Sequence, residues 1–187
     1  MDALHLLQNR TSTPALSAPA PSATQLEQMF LAAARAPDHG ALKPYRFLTI
    51  EGAGLERLGQ LYLKAAMAKT PDLSEAAQER FIAMPLRAPM IVVAIAVKTE
   101  HPKVPFAEQV MTAACATHGL IQAAYAMGVG AMWRTGDITH DSLVRSGLGV
   151  QAHEEIIGFV YMGTPTKLKE TPSVDTSSWV SQWPQEA

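Results

Sequence analysis

Residues 90–97, MIVVAIAV, decide the fold, because they form an unbroken run of apolar and mostly β-branched side chains. A run of this kind is typical of a strand that is buried on both faces, and it predicts the central strand of a sheet. A long alanine-rich stretch follows, from about Pro105 to Met127. It is apolar all round, so we expect a helix that is buried or lies at a subunit interface.

The segments on either side supply partners for this strand and helix. Alternating or β-branched residues predict three further strands, at 45–50, 131–133 and 155–162. Periodic apolar residues and capping residues predict helices at 2–8, 22–34, 54–69, 74–84 and 139–147, with Ser22 to Gln25 as a capping box and Thr139 as a cap. The order indicates a mixed α/β or α+β pattern with a small sheet.

The length of 187 residues allows a single domain, over residues 1–187. Residues 13–21, TPALSAPAP, form a proline-rich connector between the first two helices. The C-terminal tail, about 166–187, carries Trp179 and Trp183. Because large aromatic side chains are seldom left in a free tail, we expect this tail to pack on the domain or on a partner subunit.

Charged residues make up 17% of the chain and apolar residues 48%, with a formal net charge of −2. A net charge this small creates too weak an electrostatic field to attract nucleic acid or an anionic bilayer, so neither is an expected partner. The charged fraction lies below the roughly 25% of an average soluble protein. With so few charged residues, part of the surface is expected to be apolar. We expect that part to be buried against a second subunit, which predicts a homo-oligomer.

The lone cysteine, Cys115, cannot form an intramolecular disulfide, and its alanine-rich surroundings predict a buried thiol in a reducing compartment. A nucleophilic role with His118 is the less favoured alternative. The first ten residues lack the features of a signal peptide, and the longest apolar stretch, 88–97, is far shorter than the ~20 residues of a membrane helix. We therefore expect a cytoplasmic protein with no membrane association.

The chain carries no HExxH or CxxC metal motif, no GxSxG serine, no P-loop and no GxGxxG after a strand. Three polar clusters remain: Arg10-Thr11-Ser12, Arg35 with His39, and Trp133-Arg134-Thr135. A guanidinium beside two hydroxyls suits a phosphate monoester. From pattern alone, however, a solvated helix end explains the first cluster better, and capping, surface or core positions explain the other two.

Four motifs taken in order, MDALHLLQNRTS (1–12), RAPDHGALKPYRF (35–47), MGVGAMWRTG (127–136) and IIGFVYMGTP (156–165), resemble the nitroreductase family, in particular its short bacterial branch of NAD(P)H nitroreductases. The resemblance covers residues 1 to about 168. It implies an α+β fold, with a small mixed or antiparallel sheet flanked by helices, in an intertwined homodimer that encloses FMN at the subunit interface.

The family's activity would follow from that fold. The resemblance implies an oxidoreductase that passes hydride from NAD(P)H through flavin N5 to a nitroaromatic, quinone or similar small acceptor, in a ping-pong mechanism. The flavin would carry the chemistry, so no catalytic side chain is expected. Two alternatives stay open: a flavin-binding module or dehalogenase-like reductase with little nitroreductase activity, and a non-catalytic interaction protein.

The resemblance also assigns residues to the cofactor. Arg10, Thr11 and Ser12 match the motif that holds the flavin phosphate and ribityl chain, and Arg35 and His39 match residues supplied by the other subunit. Trp133, Arg134 and Thr135 match the segment against the isoalloxazine. The stretch suspected of contacting nicotinamide dinucleotide comprises Ala123, Ala124, Tyr125, Ala126, Met127 and Gly128.

The chain departs from the family pattern at two places. Thr11 stands where a second arginine is common, and Lys43-Pro44-Tyr45 replaces the usual Gln-Pro-Trp. Losing an arginine weakens neutralisation of the phosphate. Lys167, just after the last strand, lies where related enzymes place a basic residue, and we expect it to offset that loss.

Overall fold

The structure, a computed structural model, describes residues 2–167 and 170–183, and in it residues 90–97 form a strand with a neighbour on each side. The described residues contain a five-stranded sheet in which every pairing is antiparallel. The strands are β1 (Leu16–Ser17), β2 (Tyr45–Glu51), β3 (Met90–Val97), β4 (Gly130–Arg134) and β5 (Glu154–Pro165). They lie in the order β1-β5-β3-β2, and β4 also pairs with β5.

The helices of the described ranges are α1 (Ala3–Asn9), α2 (Ala23–Ala33), α3 (Ala53–Lys69), α4 (Glu75–Ala83), α5 (Phe106–Ala126), α6 (Asp137–His140) and α7 (Ser142–Gly147). Single 3-10 turns lie at His39–Ala41 and Pro85–Arg87. The predicted capping box of α2 is present: Ser22 accepts from Gln25 N–H, and the Gln25 side chain accepts from Ser22 N–H. The α+β fold is confirmed.

Strand β3 is covered on both faces, as its composition predicts. Its odd-numbered residues Ile91, Val93 and Ile95 belong to a core that includes α3 and α7, where Tyr62 meets Phe159 edge to face. Val92, on the opposite face, belongs to a second core formed with α2 and α5. Alternate side chains of a strand point to opposite faces, so the helices form a layer on each side of the sheet.

Helix α5 is buried on one face only. That face packs against α2, and Gly119 allows this close approach, since a Cβ there would lie 3.0 Å from Ala32 O. Met111, Cys115 and His118 are exposed on the other side, at the i, i+4, i+7 spacing of one helical stripe. The prediction of a buried Cys115 is therefore wrong for the single chain. Because apolar residues occur on every face of α5, the sequence does not indicate which face packs against the core.

Two further details differ from the sequence prediction. The predicted helix 139–147 is two short helices, and Thr139 does not cap it: Asp141 caps α7 by accepting from the N–H groups of Leu143 and Val144. Thr139 instead donates to Gly136 O. The proline-rich connector 13–21 contains β1, which pairs with Pro165 and Thr164 at the end of β5.

The C-terminal tail is exposed over its described part, residues 170–183, and Trp183 is 91% exposed. Within this described part, one hydrogen bond connects the tail to the domain, from Thr171 Oγ1 to Asn9 O at 3.0 Å. Residues 168, 169 and 184–187 lie outside the described ranges. Packing of the tail on a partner subunit stays a prediction.

Candidate functional site

The N-terminal cluster follows directly on α1. Arg10 ends that helix by donating its N–H to Leu6 O at 3.1 Å, and Arg10 and Thr11 are half-buried while Ser12 is exposed. The next residue, Thr13, donates its N–H to Ala131 O at 2.9 Å. This hydrogen bond holds the cluster beside β4, the strand that carries the third cluster.

The third cluster ends β4, and the indole of Trp133 fixes that strand on β5. Trp133 Nε1–H donates to Ile157 O at 3.1 Å, and the ring lies against Gly158, where any Cβ would overlap it. The Trp133 side chain is thus engaged in the fold. Arg134, which follows it, is half-buried, and Thr135 is exposed.

Arg134 has an unsatisfied polar atom. Its guanidinium carbon lies 5.4 Å from the centre of the Tyr161 ring, and its Nε is buried with no hydrogen-bond partner among the described residues. Burial raises the pKa of Tyr161, an effect that the Arg134 and Arg87 cations oppose. Arg145 Nε is in the same state. A buried donor without an acceptor costs roughly 1–3 kcal/mol, so the Arg134 guanidinium would gain from an acceptor reached by a shift of its side chain.

Lys167 is brought to the same region. The preceding residue, Thr166, donates both its N–H and its hydroxyl to Ala15 O, at 3.1 and 3.2 Å. Lys167 is exposed and lies near the segment that follows Ser12. The fold therefore places the backbone of Lys167 close to Ala15, three positions after the N-terminal cluster.

The stretch 123–128 ends α5 and turns into β4. Ala124 is fully buried in the core, so its side chain cannot touch a ligand, whereas Ala126 and Gly128 are exposed. Met127 and Gly128 line a cavity of about 120 Å³ with residues 19–21. A cavity of this size is well below the roughly 300–1,000 Å³ of a ligand pocket, so one chain alone offers no enclosed nicotinamide site there.

Arg35 and His39 lie elsewhere. Arg35 is exposed after α2, and His39 begins a 3-10 turn where its Nδ1 lies 2.6 Å from Glu108 Oε2, in the first turn of α5. The N-terminal cluster adjoins β4, which follows the other end of α5. At 1.5 Å per residue, the helix between these two ends spans roughly 30 Å.

A single chain therefore separates the two groups of predicted residues. Arg10 to Ser12, Arg134, Thr135 and Lys167 share one region, and Arg35 with His39 forms another. The two groups could therefore contact one ligand only if a second chain supplied one of them. Sequence reasoning missed Glu108, because no local pattern connects residues 69 positions apart, and it missed Gly158, whose contact with Trp133 depends on strand register.

The described ranges offer no other obvious chemistry. No three His, Cys, Asp or Glu side chains among them lie close enough to hold a metal ion. No helix within them is long and apolar enough to cross a membrane. A cavity of about 520 Å³ lies between α3 and α7, and it contains none of the predicted site residues.

Comparison with known proteins identifies relatives over almost the whole length. A family model described as "Nitroreductase family" matches residues 7–164. The Escherichia coli K12 protein named "Putative NAD(P)H nitroreductase YdjA" is 41% identical over 175 residues, covering 94% of each chain. A Haemophilus influenzae protein named "Putative NAD(P)H nitroreductase" is 40% identical over 184 residues, covering 97% of this chain and 99% of its own.

A solved structure shows the same fold. The nitroreductase with bound FMN from Bacteroides fragilis superposes with a TM-score of 0.70 at 23% identity, over 95% of this chain and 97% of its own.

Proposed function

Because the chain belongs to the nitroreductase family of oxidoreductases, we propose that it binds FMN and uses NAD(P)H to reduce a nitroaromatic, quinone or similar small acceptor. The names of the E. coli and H. influenzae relatives support the nicotinamide donor, and the bound FMN of the B. fragilis protein supports the flavin.

The position of Arg134 carries the flavin assignment: its half-buried side chain ends the strand that Thr13 joins to the N-terminal cluster, and its Nε has no partner among the described residues. The pyrimidine edge of an isoalloxazine presents carbonyl oxygens and ring nitrogens, which are the acceptors that such a donor lacks. Arg134 would also place positive charge next to that edge, where reduced flavin carries negative charge. The residues present therefore fit the cofactor.

The remaining residues of this region divide between the two ends of the cofactor. Arg10, Thr11 and Ser12 would hold the phosphate and ribityl chain through a guanidinium and two hydroxyls, and Lys167 would add a second cation. Trp133, through its backbone, and Thr135 would lie against the ring system. When bound, FMN would supply the hydride and electron transfer of the reaction.

The nicotinamide would lie near residues 123–128, through the exposed Ala126 and Gly128 and the half-buried Ala123, Tyr125 and Met127. Ala124 would contribute only through the backbone, because its side chain lies in the core. The cavity of one chain is too small for that ligand, so the second chain would complete the site.

A homodimer is part of the proposal. Met111, Cys115 and His118 form an exposed stripe on α5 that a second copy would cover, and Arg35 and His39 would reach the flavin of that copy. The C-terminal tail, with its exposed Trp179, would pack on the partner. The proposal places the enzyme in the cytoplasm, where a lone cysteine stays reduced.

The purified protein tests the proposed function directly. We expect it to be yellow with the absorbance of oxidised flavin, and to oxidise NADH or NADPH faster when a nitroaromatic is added. Bound flavin with NAD(P)H oxidation but no reduction of nitroaromatics or quinones would support a flavin reductase of another acceptor class. A colourless protein that takes up no added FMN would contradict the proposal.

A further inference from the structure

We propose that Glu108 is a positioning residue for the cofactor site, and that it acts by orienting His39 towards the flavin of the partner subunit. The inference rests on the proposed function. The contact is short for a hydrogen bond, with His39 Nδ1 at 2.6 Å from Glu108 Oε2, and it joins two segments 69 residues apart. Both side chains are about half exposed, so the pair lies at the surface.

The loop that carries His39 is held in an unusual backbone conformation. Ala41 and Lys43 have φ of 53° and 49°, in the left-handed region that side-chain-bearing residues seldom adopt. The Asp38 carboxylate holds this loop by accepting from the N–H groups of Leu42 and Lys43, at 3.2 and 2.7 Å. Backbone strain persists only where surrounding contacts fix it, and such segments cluster at ligand sites.

Glu108, the other member of the pair, lies in a helical turn that neighbouring hydrogen bonds hold in place. Gln109, next to Glu108 in α5, is buried, and its amide accepts from Thr99 N–H while donating to the carbonyls of Thr99 and Val104. Val104 in turn packs against Gly40 of the loop, 3.4 Å from where a Cβ would lie. The first turn of α5 is thereby fixed relative to the loop before any ligand binds.

This arrangement determines what the imidazole can offer. Glu108 takes a hydrogen bond from Nδ1, which leaves Nε2 as the only polar atom of the ring still available. A carboxylate on Nδ1–H fixes the orientation and the tautomer of the ring, and in the neutral imidazole the other nitrogen is then a hydrogen-bond acceptor. Nε2 can then accept from a hydroxyl or N–H group of FMN without a reorientation cost at the moment of binding.

A double-mutant cycle tests the inference through FMN dissociation constants. We expect Glu108→Gln to weaken FMN binding roughly tenfold in the wild-type background and to have almost no effect in a His39→Ala background, because the effect passes through His39. Glu56→Gln is the matched control: Glu56 is an exposed acid in the first turn of α3, so it reports the loss of a helix-terminal charge alone. We expect it to leave FMN affinity unchanged.

Ring nitrogen NMR of His39 gives a second readout, which needs no activity. In the wild-type protein we expect the proton on Nδ1, and in Glu108→Gln a mixture of the two neutral tautomers. Equal effects of Glu108→Gln with and without His39, or a wild-type ring without the Nδ1 proton, would overturn the inference and leave the proposed function intact. A folded wild-type protein that binds no FMN would overturn both.

Discussion

Replacing Arg10 with alanine is expected to weaken FMN binding by roughly tenfold to a hundredfold. A hydrogen bond between charged groups contributes about 1.5–3 kcal/mol, and each 1.4 kcal/mol is about a factor of ten in affinity. Because Thr11 stands where a second arginine is common in the family, Arg10 is the main cation of its motif. Flavin fluorescence titration of the apoprotein measures the change.

Arg57→Ala is the control for the Arg10 variant. Arg57 is exposed on α3, in the helical layer that faces away from the N-terminal cluster, so its loss should change neither FMN affinity nor the melting temperature. Unaltered flavin affinity in Arg10→Ala would remove Arg10 from the phosphate site.

Replacing Arg46 with methionine is expected to destabilise the fold by about 3 kcal/mol, at the lower end of the range for broken buried ion pairs. The Arg46 guanidinium makes two bonds to Glu154, at 2.6 and 2.7 Å, and joins β2 to the start of β5 across β3. Glu154 is only 6% exposed, whereas Arg46 is 32% exposed and keeps part of its hydration. Thermal unfolding should show a melting temperature lower by roughly 6–12 °C.

The neighbouring pair Lys98–Glu155 supplies the control. Its atoms are 3.2 Å apart and both side chains are more exposed than Glu154, so Lys98→Met should cost at most about 1 kcal/mol. Similar losses in the two variants would show that burial of Glu154 does not matter.

The same ion pair predicts a pH dependence. The bond from Arg46 holds the pKa of Glu154 at about 2, below its ordinary value. A carboxyl whose pKa is lower in the folded state stabilises the protein above its unfolded pKa, and this contribution disappears as pH falls through the folded value. The stability difference between wild type and Arg46→Met should therefore be full above about pH 5 and shrink towards pH 2.

The local features of the fold follow from local sequence. The β-branched run 90–97 predicts an inner strand, and Ser22 with Gln25 predicts a capping box, because these signals depend on residues a few positions apart. Strand β1 is not predictable in this way, because two residues in a proline-rich segment form a strand only by pairing with the end of β5. Cys115 shows a related failure: helix composition alone does not define which face is buried.

The candidate site, like the fold, is only partly predictable from local sequence. The three polar clusters are visible in the sequence, but pattern alone explains each of them as a cap or a surface residue, and only the family resemblance groups them. The contacts of His39 with Glu108 and of Arg46 with Glu154 join residues 69 and 108 positions apart. Such pairs arise from the packing of distant segments, which no local spacing encodes.

A heterodimer of two binding-defective chains tests the central claim most directly, namely that each flavin lies between Arg10 of one chain and His39 of the other. One chain carries Arg10→Ala, its partner carries Arg35→Ala with His39→Ala, and different affinity tags isolate the mixed pair. We expect each homodimer to bind FMN weakly and the heterodimer to regain about one tight site per pair, because one of its two sites then has both groups intact. A heterodimer that binds FMN no better than its parents would contradict the account.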